Sequence, residues 1–327
     1  SVKGEHLSDL QWSCAPFQVS GPLNVVVNTL NGTLALADSG WSLTGAMESL
    51  IPEQSLSPPV EIETAATHAW KLAARREGTS KKILFELQGR GDGPVMVSTS
   101  GGRLSSQKQE IGIEGHLHEG ALVADGKWVA KENRIAAPQG LVSAPELIIE
   151  HGLSIQPGDV GRASSMTAQV TLPQVNATSG PRSIHFPKIA LNVVGRAKPG
   201  RPWGADALLK LSNGRIRDRS SGLGMTHLSI ELPLAWPDAS AARPGQVNID
   251  TLQWNRHQLG GLRGSLQQTP GGLTMALRHT SQMLPGLRAF IKGEIDQSGA
   301  RIEVRIPPHQ MAEAIDLGRF NPSASGF

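Results

Sequence analysis

Glu114, His116 and His118, in the stretch "IEGHLHEG", come nearest to a set of residues whose types and spacing do chemistry. Histidines two apart on a strand project both imidazoles to one side, as a zinc site requires. Ile111, Ile113 and Leu117 occupy the opposite side. Burying those apolar residues leaves the three polar ones in water, and local spacing supplies no further ligand. The patterns G-x-S-x-G, G-x-x-x-x-G-K-[ST] and H-E-x-x-H do not occur. "GRGDG" (Gly89 to Gly93) has the glycine content of a phosphate loop, but no predicted helix follows it, so it reads as a turn. Carboxylates are dispersed singly along the chain, and spacing alone assigns no pair. Cys14 is the single cysteine, which excludes an internal disulfide and a Cys-based zinc site. No catalytic residue, metal or cofactor is therefore expected. A metal enzyme or hydrolase built on His116 and His118 is the weakest of three competing readings.

Charge narrows the partners. With 31 Lys and Arg against 28 Asp and Glu, the net charge is +3 over 327 residues and the basic groups are scattered. Nucleic acid is disfavoured, because phosphate binding needs a concentrated basic face. The densest basic run, Arg215, Arg217 and Arg219, follows an expected Asn213-Gly214 turn and reads as a solvated strand end, with a lipid headgroup or anionic partner as the alternative.

The elements that must carry these residues are strands. There are 37 glycines and 22 prolines, which favours many short elements separated by turns. Alternation with period two dominates. Val25 and Val27, then Leu34 and Leu36, then Trp41, Leu43 and Met47 fall on one side, with turns expected at Asn31-Gly32 and Ser39-Gly40. Ile83, Phe85 and Leu87 continue the habit, with turns expected within "GRGDGP" and at Asp125-Gly126. Leu191 and Val193, Leu209, then Leu228, Ile230 and Leu232 repeat it. The hairpin "GGLRGSLQQTPGGLTMALRH" carries Leu262 and Leu266 on one arm and Leu273, Met275 and Leu277 on the other, about a Pro-Gly-Gly turn. About 14 to 18 antiparallel strands are expected. "PHQMAEAIDLGRF" (308–320) predicts a short C-terminal helix, while 64–78 suits helix or strand.

A strand leaving three leucine-sized side chains in water forgoes several kcal/mol, at about 25 cal/mol per Å². Helices are too few to cover such a face, so a second sheet or a ligand must. Gly45, Gly115 and Gly264 stand in the apolar rows, where a missing side chain permits a bend or leaves room for a ligand. The expected fold is all-β: a long, strongly curved, predominantly antiparallel sheet forming an apolar groove or open barrel. A body over 1–235, a loop over 236–246 and C-terminal hairpins over 247–327 would belong to the same sheet.

The hairpin from Gly260, continued as "SQMLPGLRAFIKGEIDQSGARIEVRIPP", and the early "GPLNVVVNTLNGTLALADSGWSLTGAMESL" resemble the AsmA-like, TamB-like and YdbH-like envelope proteins of Gram-negative bacteria. Their G-x-L-x-G strands build a long curled sheet that is apolar inside. The resemblance implies a periplasmic body tethered to the inner membrane by an anchor outside this segment, and transfer of phospholipid or another acyl-chain ligand between the two membranes. Val25, Val27, Leu34, Leu36, Leu43, Leu191, Val193, Leu209, Leu228, Ile230, Leu232, Leu262, Leu266, Leu273, Met275 and Leu277 would line the groove. The N subunit of type II secretion systems has a similar strand habit. A secretion or envelope scaffold with a dry β-sandwich core, meeting protein partners through a sheet edge, is the second reading.

Overall fold

The computed structural model describes residues 8–20, 24–37, 40–55, 60–78, 80–138, 140–156, 164–197, 203–239, 242–283, 287–296 and 298–307. Among these residues there are twenty strands and no α-helix, and every strand register is antiparallel. The helix expected over 308–320 lies outside the described residues.

Two compact units are present. One comprises Ser1–Pro173 with Asn192–Trp203, the other Gln174–Leu191 with Gly204–Phe327. In the first, β1 (Ser8–Cys14) and β2 (Phe17–Val19) pair with β3 (Val25–Ala37), which pairs with β4 (Gly40–Ile51). The short β5 (Gln54–Ser55) and β6 (Glu61–Ile62) form a side ladder. β4 pairs with β7 (Ala66–Glu77), and the ladder continues through β8 (Lys82–Thr99), β9 (Gly102–His118), β10 (Ala121–Ala137) and β11 (Gly140–Ile155). β12 (Ser164–Ser179) and β13 (Arg182–Ala197) each contribute residues to both units.

The second unit runs without interruption through seven strands: β14 (Gly204–Asp218), β15 (Leu223–Trp236), β16 (Gly245–Trp254), β17 (His257–Thr269), β18 (Gly272–Ser281), β19 (Arg288–Asp296) and β20 (Gly299–Arg305).

Strands longer than the usual five or six residues are joined by two-residue turns. Thr269 pairs with Gly272 across the expected Pro270-Gly271 turn, Thr99 with Gly102, and Ala137 with Gly140. Gly102 and Gly140 have φ of 152° and 157°; a side chain at the former would strike the Ala136 carbonyl.

Four expected turns are not turns. Asn31-Gly32 lies inside β3, "GRGDGP" inside β8, Asp125-Gly126 inside β10 and Asn213-Gly214 inside β14. Their glycines instead seat a ring from a neighbouring strand: Trp12 over Gly32, Trp70 over Gly89, His151 over Gly126 and Phe186 over Gly214. A ring laid across a strand glycine recovers the contact that residue lacks, so glycine here marks close packing. In two of these segments the ladder also slips, between Asp92 and Val95 and around Gly214, where Asn213 takes φ 55°. Such bulges bend the strand and increase its twist. Treating these segments as breaks also made the expected strands too few and too short. The ambiguous stretch 64–78 holds a strand, β7, because both its neighbours, β4 and β8, supply full ladders.

Candidate ligand-binding face

Register turns the alternation along each strand into rows across the first unit. Leu10, Leu34, Leu43, Ala74, Phe85, Gly115, Ala124 and Leu153 stand directly opposite one another from β1 to β11. The next row on the same face is Trp12, Gly32, Gly45, Leu72, Leu87, Ile113, Gly126 and His151. A third is Cys14, Leu30, Met47, Trp70, Gly89, Ile111, Trp128 and Ile149. Directly paired residues project to the same side, so these rows form one apolar face.

The second unit repeats the arrangement. Leu211, Ile230, Val247, Gly264, Leu277, Ile291 and Val304 form one row. Gly214, Leu228, Ile249, Leu262, His279 and Ala289 form another. Leu266 pairs with Met275, Leu209 with Leu232, and Leu273 with Gln268 and Ile295.

Of the sixteen residues assigned to a groove lining, Val27, Leu228, Leu232 and Leu262 are buried. Leu36 is 40% exposed, and Val25, Leu34, Leu43, Leu191, Val193, Leu209, Ile230, Leu266, Leu273, Met275 and Leu277 are half-buried. No large side chain is completely buried among the described residues, and seven of the sixteen buried hydrophobic ones are alanines against three leucines. A tightly meshed β-sandwich buries the inward residue of every strand pair. Here twelve of the sixteen keep part of their surface, whereas the row through Leu228, Ile249, Leu262 and Ala289 in the second unit is buried.

The three glycines noted in the apolar rows do not leave open space. Gly115 lies under the Phe85 ring and against the backbone of β10, Gly264 against the backbone of Ala276 and Leu277, and Gly45 within contact of the Asn31 carbonyl. Their role is close approach of strands and rings.

Glu114 and His118 are exposed and His116 half-buried, all on the opposite, polar face. Register assembles a set on that face that spacing concealed: Glu86, Glu114 and Asp125 are direct cross-strand neighbours on β8, β9 and β10, and all three are exposed. Among the described residues, no three His, Cys, Asp or Glu side chains are grouped to hold a metal ion. A hollow of about 740 Å³ also opens among polar-face side chains, including Gln11, Thr33, Thr44, Lys71, Glu86 and Gln88. The cross-strand pair Lys127 with Glu150, 3.1 Å apart, lies on this face, and the second unit has a pair of the same kind in Lys210 with Glu231, 3.0 Å apart. Exposed pairs of this kind contribute at most about 1 kcal/mol each.

One row of the apolar face carries three polar side chains, Ser49, His68 and Gln109, and sequence reasoning missed it. Val27, Ser49, His68, Gly91, Gln109, Ala130 and Leu147 stand opposite one another from β3 to β11. Ser49 is 2% exposed and Gln109 7%. Trp70 donates from Nε1 to Ser49 Oγ at 3.2 Å, and its ring stacks on His68 with centroids 6.1 Å apart. The imidazole of His68 and the carboxamide of Gln109 both lie over Gly91. Recognising this row from the sequence would have required knowing that the ambiguous stretch 64–78 holds a strand, Ala66–Glu77.

Burial holds His68 below the ordinary histidine value of 6.5, opposed in part by a hydrogen bond with the Ala66 backbone. The unfolded chain therefore takes up this proton at a higher pH than the folded one. The His68 contribution is present above 6.5 and is lost as pH falls from there through the depressed folded value. Thermal melts at intervals from pH 7.5 to 5 are expected to show this decline, and His68→Asn is expected to flatten it. An unchanged slope in the variant would place the imidazole in water.

No protein-family model, curated protein or solved structure matches the chain. The arguments for function therefore rest on the two faces themselves. Each unit carries an apolar face and an opposite, polar one.

Proposed function

We propose that this chain binds the acyl chains of phospholipid along its apolar face and passes lipid between the inner and outer membranes, without covalent chemistry. The supporting observation is the run of leucine-type rows from strand to strand, with side chains left half-exposed where a second protein layer would have buried them. An acyl chain laid over such a row completes burial worth about 0.8 kcal/mol per methylene. The long antiparallel all-strand architecture suits a β-groove, and with the strand habit of "GGLRGSLQQTPGGLTMALRH" it favours kinship with the AsmA-like, TamB-like and YdbH-like proteins, in a periplasmic setting tethered to the inner membrane. Protein purified without detergent exchange is expected to yield about one or more phospholipids per chain on extraction and mass spectrometry. Lipid-free protein from several native preparations would overturn the proposal.

A scaffold reading rests on a different observation. β20 is exposed along its whole length, Ile302 and Val304 are 60% and 58% exposed, and among the described residues it is paired on one side only. Such an edge accepts a partner strand. Site-specific crosslinking from Arg301 or Glu303 that captures a strand of another envelope protein, in a preparation free of lipid, would favour this reading.

A further inference from the structure

Lys210 on β14 has Glu231 directly across the ladder on β15, 3.0 Å away. Further along the same two strands that matching of charge stops. Arg215, Thr226 and Thr251 form one row, and Arg217, Gly224 and Gln253 the next. Arg219 follows in the turn after β14. None of the three arginines makes an ion pair with a described residue. Residues two apart on a strand stand about 7 Å apart on one side of it, so Arg215 and Arg217 repel each other until an anion lies between them. Ile216 alternates with them and forms, with Met225 and Leu252, a row on the other side.

A hollow of about 810 Å³ opens at these arginines, wholly within the second unit. Arg215, Arg217, Arg219, Thr226 and His185 line it. The missing side chain at Gly224 helps to form it, since a Cβ built there has Gln253 Cβ, 3.8 Å away, as its nearest contact. Asp218 is the one acid among the described lining residues, and its bonds are already made. It accepts from the Ser220 hydroxyl at 2.6 Å and from Arg182 Nε at 3.1 Å, and these bonds hold its carboxyl well below the ordinary 3.8. The Arg219 N–H donates to the Pro181 carbonyl at 3.1 Å, which ties the turn beside the start of β13. His185 donates from Nδ1 to Asn176 Oδ1 at 2.8 Å, leaving Nε2 for a ligand.

Two guanidinium forks and a hydroxyl supply more donors than a carboxylate accepts, and more positive charge than it offsets. A phosphate group, with about two negative charges and three acceptor oxygens, matches both. We infer that Arg215, Arg217 and Thr226 form a binding site for a phosphate group, carried by a soluble phosphorylated molecule or by a lipid headgroup, with Arg219 adding charge. The site lies on the side away from the apolar rows, so it is independent of the acyl-lipid reading.

Isothermal titration of the purified chain with inorganic phosphate, glycerol 3-phosphate and acetate tests the soluble source. Co-sedimentation with phosphatidylcholine vesicles, with and without phosphatidic acid, tests the lipid source. Wild type is expected to bind phosphate probes saturably and acetate about tenfold more weakly, the effect of losing one charge-assisted hydrogen bond. Arg215→Gln combined with Arg217→Gln is expected to weaken phosphate binding about tenfold or more. Both side chains are exposed, so the thermal melt should stay in place. Arg217→Lys, which keeps the charge and loses the fork, is expected to fall between. Arg263→Gln combined with Arg278→Gln removes the same charge from an exposed, directly paired position elsewhere in the second unit and is expected to leave binding unchanged. Capture by vesicles only when phosphatidic acid is present, lost in the Arg215 and Arg217 variant, assigns the phosphate to a lipid headgroup. Soluble binding without such capture assigns it to a soluble molecule. Equal weakening by the two double variants, acetate binding as tight as phosphate, or no saturable binding to any of these phosphate probes would overturn the site. Each of those results would leave the acyl-lipid reading untouched.

Discussion

Replacing Leu34 by lysine and Leu43 by glutamate in one chain is expected to weaken acyl-lipid binding more than tenfold while moving the melting temperature by only a few degrees. The two leucines are direct partners across β3 and β4, and both are half-buried. Opposite charges at paired positions attract, so the strands keep their register. A charge buried in a dry core costs several kcal/mol, whereas one on a face that meets water or ligand costs far less until hydrocarbon must be laid across it. Quantifying co-purified lipid alongside a thermal melt reads both effects. Retained lipid would exclude this part of the face from the path, and a collapsed melting transition would mean that a second layer covers it.

The largest expected loss of stability is at Gly264. A side chain there would run into the carbonyl of Ala276 and the Cα of Leu277 on β18. Gly264 pairs with Leu277 and with Val247 in a row that crosses the second unit, so neither neighbouring strand can withdraw without breaking its ladder. Gly264→Val is expected to cost about 3 kcal/mol or more, the range of overpacking against atoms that cannot relax. Gly112→Ala provides the contrast. Nothing lies within 4 Å of a side chain built there, so that variant is expected to be neutral or to gain up to about 1 kcal/mol by restricting the unfolded chain. Denaturant titration of the two variants checks the difference. Equal stabilities would mean that β17 and β18 are less closely apposed than the register requires.

Strand glycines were where sequence reasoning went furthest astray. Asn31-Gly32 and Asp125-Gly126 have the composition of tight turns, and local propensity favours that reading. The rings that lie over Gly32 and Gly126 come from Trp12 and His151, at 20 and 25 positions' remove. No local window contains both the glycine and its ring. Pro270-Gly271 kept its expected role because the residues on either side alternate in step and pair from Thr269 and Gly272 outward. The carboxylate row Glu86, Glu114 and Asp125 was illegible for the same reason as the ring seats: each member sits on a different strand.

What the amino-acid order determined by itself was the sidedness of each strand. Leu34, Leu36 and Leu43, or Leu262, Leu266, Met275 and Leu277, share a face because side chains alternate along extended backbone, a period set by covalent geometry. Only the tertiary structure decided which residues stand opposite one another. Strand register brought His68 and Gln109 together over Gly91 and set Trp128 diagonal to Gln109. Register depends on hydrogen-bond ladders between segments that no single stretch of chain contains, and a slip of one residue would have sent each of these groups to the other face.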